Sequence, residues 1–440
     1  WWEFGSHPVP LSPASGSRAG GWDAINGAVF PGKKNCQSAG SSMNNNHGET
    51  PRGSLMRQVV LFTLVRVVFH TAYRMVYPFL SAFARGLGVD VATISVALTG
   101  RSLVGIAGPF LAPLADTRGR KFSMVLGTVM FVLSAGLVGL FPGYITFFIA
   151  LCLTALGAQI FIPAMQAYLG DRSSYQERGR LLGITELAWS LGFVVGVPFI
   201  GWLISRWGWQ VVFPVLSGLG MAGLIVILFF LPAQPGNGRH ENGFLGAFGD
   251  VFRSPVALAG LALCLVMTTG NEIVNLVFGV WMEDAFQLKL AALGGASVIL
   301  GVAEFGGAGF SAWVVDRLGK QRAVQAGLLL NSLASIGLLL GRDNIWAAMA
   351  GLLVFYLSFE FALVSSLPLL SEILPKARAT LMGLAMAFFS LGRAVGAIIG
   401  VPLYEIGFGA NVIAVILLNL VSLLVLIWVR PAKEGALSET

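Results

Sequence analysis

The residues able to do chemistry in this chain stand inside long apolar stretches. Arg66, His70, Tyr73 or Arg74, and Tyr77 follow one another at steps of three and four, which aligns them on one face of a helix. Thr268, Asn271, Glu272 and Asn275 do the same, Tyr356 and Glu360 lie four apart, and Gln159 and Gln166 seven apart. Arg101, Glu304 and Arg393 are single charges in other apolar runs, with Glu186 nearer the end of its own. An ionisable group at mid-bilayer costs about 2.5–3.5 kcal/mol on insertion scales, so each needs a partner, a wet cavity or a task. The signs are segregated: Arg66, Arg74 and Arg101 lie in the first half, Glu272, Glu304 and Glu360 in the second. Two chemistries fit. Arginine–glutamate pairs would glue the structure and neutralise themselves, or a carboxylate would gain and lose a proton while arginines and tyrosines hold a solute. For Glu272 and Glu360 the second is expected, and for Arg393 an internal partner; a proton role is one reading of His70.

Helices in lipid must position these groups. Hydrophobic types make up 56% of the 440 residues and charged ones 11%, against roughly 25% charge in a soluble domain; the mean hydropathy is +0.78. The 385 residues from Met56 to Thr440 divide into twelve units of about 32, each a span of ~20 residues plus a connection. Apolar stretches fall near 58–82, 92–115, 122–141, 144–168, 181–204, 209–231, 255–281, 291–315, 322–340, 345–371, 379–402 and 408–429. Each is predicted helical, because unpaired backbone groups are too costly in hydrocarbon, and they are numbered here as spans 1 to 12. The loops after even-numbered spans and the final tail hold fifteen Lys and Arg, the opposite loops four (Arg85, Arg206, Lys289 and Arg342). By the positive-inside rule both termini lie in the cytoplasm. The expected class is an all-α, multi-pass protein of the cell (plasma or inner) membrane, embedded in the lipid bilayer. It comprises a six-helix bundle over 57–232, a cytoplasmic linker over 233–253, a second bundle over 254–430 and a tail over 431–440.

Residues 1–56 are rich in Pro, Gly, Ser and Asn without apolar period and read as a disordered tail. No signal-peptide pattern is visible in it. Because it begins at Trp1, it also reads as a candidate non-native extension, with Met43 or Met56 as start. The stretch Gly27–Lys34 nearly spells a phosphate loop, but Lys stands where Ser or Thr should bind magnesium, and no strand or helix flanks it. Cys36, Cys152 and Cys264 lie too far apart to suggest a disulfide framework or metal ligands, so no metal site is expected.

The two halves match at an offset of 200. Ala112, Asp116 and Gly119 recur as Ala312, Asp316 and Gly319, with Arg120 answered by Lys320. Arg178, Leu181, Gly183, Ser190, Leu191, Gly192 and Gly196 recur as Arg378, Leu381, Gly383, Ser390, Leu391, Gly392 and Gly396. Related halves around a central site are a recurring architecture of secondary transporters.

At these residues the chain resembles the major facilitator superfamily. That family's loop signature between spans 2 and 3, Gly-x-x-x-Asp-Arg-x-Gly-Arg-Arg/Lys, reads here from Ala112 through Asp116, Thr117, Arg118, Gly119 and Arg120 to Lys121. A weaker second copy runs from Ala312 through Asp316, Arg317 and Gly319 to Lys320. Ala replaces the first Gly in both copies, and Thr117 replaces the Arg after Asp. The resemblance implies two pseudo-symmetric six-helix bundles rocking about a central cavity that spans 1, 4, 7 and 10 line. Read physically, an Asp at a helix end can face the free N–H groups opening another helix, worth up to ~1 kcal/mol. Crossed partners are expected: Asp116 at the start of span 11 near Thr380, Asp316 at the start of span 5 near Leu181. Glu177, Arg178, Arg378 and the loop bases would complete a cytoplasmic latch, unless those bases only set topology.

Span 5 carries Gly183, Gly192, Gly196 and Gly201 with Pro198, which looks like the antiporter signature of the superfamily's drug–proton exchangers. Val197 separates Gly196 from the proline, Trp202 replaces the last Gly, and the exchangers' span-4 Arg is Leu153 here. Gly383, Gly392, Gly396, Gly400 and Pro402 repeat the ladder in span 11. Small residues let two backbones approach closely, so plain packing explains both ladders. The expected function is secondary active transport of a small-molecule solute by alternating access, driven by a proton gradient without other cofactor. Export by antiport is slightly favoured; organic-anion symport or uniport is the alternative, and a non-transporting sensor or scaffold the reading from another class. No enzyme motif is found, no nucleic-acid partner is expected, and the protein reads as a monomer.

Overall fold

The computed structural model describes residues 52–111, 114–232 and 243–429; the tail 1–51 with its near-phosphate loop, residues 233–242 of the linker and the tail from Arg430 lie outside the described residues. Span 1 is Arg52–Arg74 and, after a turn, Leu80–Leu87. Span 2 is Val91–Gly105 with two short continuations, Gly108–Leu111 and Leu114–Arg118. Spans 3 and 4 are Arg120–Leu140 and Tyr144–Arg172. Span 5 runs Tyr175–Leu191, a π-turn Gly192–Gly196 and Val197–Trp207; span 6 is Val212–Phe230. A separate helix, Gly243–Arg253, precedes span 7, so the end of the expected linker is helical. Spans 7 to 12 are Pro255–Phe286, Leu290–Leu318, Lys320–Leu340, Ile345–Ser371, Arg378–Ile406 and Phe408–Leu426. Among the described residues there is no strand. Eleven helices among the described residues are long and apolar enough to cross a bilayer, and up to twelve if Leu80–Leu87 and Val91–Gly105, which meet at 110°, are taken together as one span.

Local chemistry explains the starts and breaks. Asp90 accepts the backbone N–H of Thr93 at 2.7 Å and opens span 2. Ser174 accepts the N–H of Glu177 at the start of span 5, in the Ser-x-x-Glu pattern of a capping box. Ser254 and Asn344 cap spans 7 and 10. Two sequence expectations need correction. The first helix starts at Arg52, inside the expected disordered tail. It also does not run unbroken to 82: Pro78 has no N–H and disfavours helical backbone at Tyr77, so the helix stops at Arg74 and restarts at Leu80.

Packing repeats with a period of six spans. Span 1 lies on 5 as 7 lies on 11; 3 on 4 and 6 as 9 on 10 and 12; 2 on 4 as 8 on 10. The halves meet along two seams, span 2 against 11 and span 5 against 8. Gly119 and Gly319, 200 residues apart, open spans 3 and 9 with φ of +96° and +87°, a backbone that side chains rarely adopt. Large apolar side chains such as Leu64, Leu133, Phe199, Leu329 and Ile398 cover the outer surface, as lipid-facing helices require. The protein is a multi-pass, all-α membrane protein.

Candidate functional site

Charged side chains from both halves converge at the centre. Arg74 of span 1 stands 2.7 Å from Glu304 of span 8, a contact ion pair rather than an aligned hydrogen bond. Its guanidinium lies 3.7 Å from the Trp189 ring centroid and 4.2 Å from that of Phe193. Arg101 of span 2 donates to the Tyr73 carbonyl at 2.6 Å and to the Tyr77 hydroxyl at 2.7 Å. Tyr77 in turn donates to Glu272 of span 7 at 2.9 Å, and Glu272 also accepts from Asn275 at 3.3 Å. Tyr356 of span 10 donates to Asn275 at 3.0 Å and ends the chain of bonds. Glu360 and Arg393 make neither a hydrogen bond nor an ion pair among the described residues, although Glu360 is buried and Arg393 half-buried.

Two cavities meet in this cluster. The larger, about 140 Å³, lies between spans 1, 2, 4, 5 and 11 and is bordered by His70, Tyr73, Arg101, Gln159, Trp189 and Arg393, with Phe69 and Ile162. The smaller, about 30 Å³, is bordered by Arg74, Tyr77, Asn271, Glu272, Glu304 and Glu360. Tyr73, Trp189 and Arg393 belong to both. Among the described residues His70 Nε2 and Asn271 Oδ1 have no hydrogen-bond partner, and the Arg74 guanidinium has its ion pair with Glu304 alone. Buried polar atoms are nearly always satisfied, so this concentration of exceptions marks the centre as a site for a polar guest.

Other predicted site residues lie apart from the cavities. Arg66 makes a two-pronged bond to Glu186, at 2.8 and 2.9 Å, and a third to Thr185 at 3.1 Å. Gln166 joins the same carboxylate at 3.0 Å. Arg393, expected to have an internal partner, instead borders both cavities and pairs with no acid among the described residues. Sequence reasoning missed Trp189 and Phe193, which shield Arg74, and Ser102 and Ser390 in the larger cavity.

The bundle's two ends differ. Away from the basic loops, Arg85 pairs with Glu283 at 2.8 Å and Tyr404 donates to Asp284 at 2.8 Å. There Gly279 is so close to span 1 that an added Cβ would lie 2.6 Å from the Pro78 carbonyl, and Ser95 donates to the Ala397 carbonyl across the halves. This end is closed by backbone contact.

A family model described as Major Facilitator Superfamily matches residues 62–365 and 265–440. The chain belongs to that superfamily. It is a membrane transporter of the superfamily, similar to the uncharacterized MFS-type transporter YwfA of Bacillus subtilis (strain 168), with 27% identity, covering 73% of this chain and 78% of the relative. Multidrug resistance protein 2 of the same organism is 24% identical over 68% of this chain and 77% of that protein. Among solved structures the fold is similar to a D-xylose–proton symporter (TM-score 0.69, 16% identity, 84% of this chain and 97% of that one). The nucleoside transporter NupG gives 0.70 at 14% identity, with coverage of 85% and 98%.

The superfamily's loop residues staple each half to itself here. Arg120 pairs with Asp171 at the end of span 4 (3.3 Å), and Lys121 donates to the Leu228 and Leu231 carbonyls at the end of span 6 (2.8 and 2.6 Å). The second half repeats this: Lys320 pairs with Glu372 at the end of span 10, and Gln321 donates to the Leu426 carbonyl at 3.0 Å. Carbonyls ending a helix lack helical partners, which is what draws these donors. The expected crossed latch is therefore corrected for its second copy. Asp316 is exposed and has no hydrogen bond or ion pair among the described residues, Arg317 lies over Trp313 (4.8 Å), and Arg378 is exposed. Arg178 donates to the Gly170 carbonyl at 2.6 Å, and Arg118 is exposed. The side chain of Asp116 lies outside the described residues. The glycine ladders pack helices: an added Cβ would lie 1.8 Å from Thr71 Oγ1 at Gly196 and 2.1 Å from Thr268 Oγ1 at Gly392.

Proposed function

We propose that this superfamily member moves a small solute by alternating access and couples the movement to protons. One observation carries the reading: six charges, Arg74, Arg101, Arg393, Glu272, Glu304 and Glu360, gather between the halves, yet Glu360 and Arg393 have no direct partner among the described residues. Static glue would pair them all. In this reading the bundles over 57–232 and 254–430 rock as units, both termini face the cytoplasm of a cell membrane, and the protein acts as a monomer. Export of the solute in exchange for protons is a second reading, favoured by the names of the multidrug-resistance relatives.

The test replaces Glu272 or Glu360 by Gln and follows solute movement in vesicles under an imposed proton gradient. Coupling predicts that at least one variant loses gradient-driven accumulation while solute exchange without a gradient continues. Two variants with wild-type pH dependence would end the coupling proposal.

A further inference from the structure

The two cavities differ in charge, the smaller holding its acids beside Arg74 and Arg393. The larger is bordered by Arg101 and Arg393 and by no carboxylate, whereas Glu272, Glu304 and Glu360 all border the smaller. Arg101 is already committed to the Tyr73 carbonyl and the Tyr77 hydroxyl and lies over the Tyr73 ring at 3.8 Å. Arg393 has no hydrogen bond or ion pair among the described residues. The rest of the larger cavity is mostly apolar, with Phe69, Ile162, Ala155 and Ala158 beside Trp189. Among its polar groups Thr154 bonds to Ser134 at 2.8 Å and Gln159 to the Gly105 carbonyl at 3.3 Å, while His70 Nε2 and Ser102 Oγ have no partner among the described residues. A cation would meet only like charge here, since Arg101 and Arg393 are the charged residues that border this cavity. At 140 Å³ the space holds on the order of ten water-sized groups.

We propose that the larger cavity takes a small organic monoanion, a carboxylate on a flat apolar body, with the carboxylate against Arg393 and the body beside Phe69, Ile162 and Trp189, and that Glu360 carries a proton in the same step. The inference rests on the transport reading above and names its solute class. Charge balance links the two events. Three arginines face three glutamates in the cluster, so one proton bound by the Glu360 carboxylate leaves one positive charge for the anion to match. Glu360 is faced by Glu304 of span 8, Arg74 of span 1 and Arg393 of span 11, with Glu272 and Asn275 of span 7 across the smaller cavity. None of these donates a hydrogen bond to it, so its ionised form has the least support of the three acids. Proton and anion then favour each other's binding, as linkage requires. They travel together, against the export reading.

Phenylacetate, neutral phenylacetamide and cationic phenethylamine are probes of nearly equal size. Binding of each to the full-length protein in lipid vesicles is measured at mildly acidic and mildly alkaline pH. The expected result is that phenylacetate binds at least about tenfold more tightly than either neighbour and more tightly at acidic pH. Arg393→Gln removes that preference, Arg393→Lys keeps part of it, and Glu360→Gln keeps binding but flattens its pH dependence. Amide or amine binding as well as the carboxylate overturns the proposal, as does a carboxylate preference that survives Arg393→Gln. If either Arg393 variant fails to fold, the wild-type comparison of the three probes still decides. Solute counterflow in the same vesicles separates the two levels. Binding as described without any counterflow removes the transport reading and leaves the anion site, whereas counterflow of the amine alone does the reverse.

Discussion

Arg74 of span 1 and Glu304 of span 8 stand 2.7 Å apart and join the two halves at their buried midpoint, with only 3% and 10% of the side chains exposed. Removing one member strands the other charge, which costs about 3–5 kcal/mol in a buried pair, whereas replacing both by apolar groups is often neutral. We expect Glu304→Leu to lower the melting temperature by several degrees and Arg74→Leu/Glu304→Leu to recover most of that loss. Melting curves of the four proteins of this cycle in one detergent check it; additive losses would mean that the pair does not interact.

The glycine ladder of span 5 separates into positions that touch a neighbour and one that does not. An added Cβ at Gly196 would meet Thr71 Oγ1 at 1.8 Å, and at Gly392 of span 11 the Leu265 carbonyl at 2.4 Å, while at Gly183 nothing lies within 4 Å. Gly183→Ala should be neutral or stabilising by up to ~1 kcal/mol, since Ala is the better helix former. Gly392→Ala should destabilise clearly, because a backbone carbonyl cannot swing aside. Melting temperatures of the purified variants decide, and a neutral Gly392→Ala would show that spans 7 and 11 are looser than this structure has them.

The helices that face the centre were legible in the sequence because lipid penalises a polar stripe on an apolar helix unless the stripe turns inward: Arg74 and Tyr77, Asn271 and Glu272, Tyr356 and Glu360 all converge. What the stripes could not supply was pairing. Arg66 and Glu186 are 120 residues apart, and nothing local distinguishes that contact from one between Arg66 and any other acid. Trp189 and Phe193 escaped for a different reason. The helix that carries Trp189 has no distinct apolar face, so hydrophobic periodicity does not separate a ring facing a cavity from one facing lipid. The π-turn Gly192–Gly196 adds to this, because it shifts the helical phase within the ladder. Gly192 and Gly196 face span 1, and Gly201 faces Phe79, in the turn of span 1, together with Leu290 and Gly294 of span 8.

Asp90, exposed at the start of span 2, holds its carboxyl below the usual carboxylate range, first through the hydrogen bond with Thr93. A depressed folded value means that the cap stabilises fully above the ordinary aspartate range, and that its contribution fades as pH falls through the folded value. Asp90→Ala should therefore lower the melting temperature slightly at neutral pH, with the gap to wild type closing in acid. A gap that widens as pH falls would contradict the assignment of the cap.

The closed end offers two devices of unequal strength. Arg85 and Glu283 are 2.8 Å apart, but their side chains are 60% and 26% exposed, and exposed pairs are worth about 0–1 kcal/mol. Backbone contact is the stronger device, since at Gly279 a Cβ would lie 2.6 Å from the Pro78 carbonyl and 2.7 Å from that of Tyr77. Gly279→Ala should therefore keep spans 1 and 7 from meeting and bias the protein toward opening at this end, whereas Arg85→Ala should shift the equilibrium less than about fivefold. A cysteine placed at Gln287, at the rim of this end, reports the difference through its labelling rate by a membrane-impermeant maleimide. We expect labelling to rise strongly in the Gly279→Ala background and little in Arg85→Ala. The reverse order would mean that the ion pair, not the helix contact, holds the end shut.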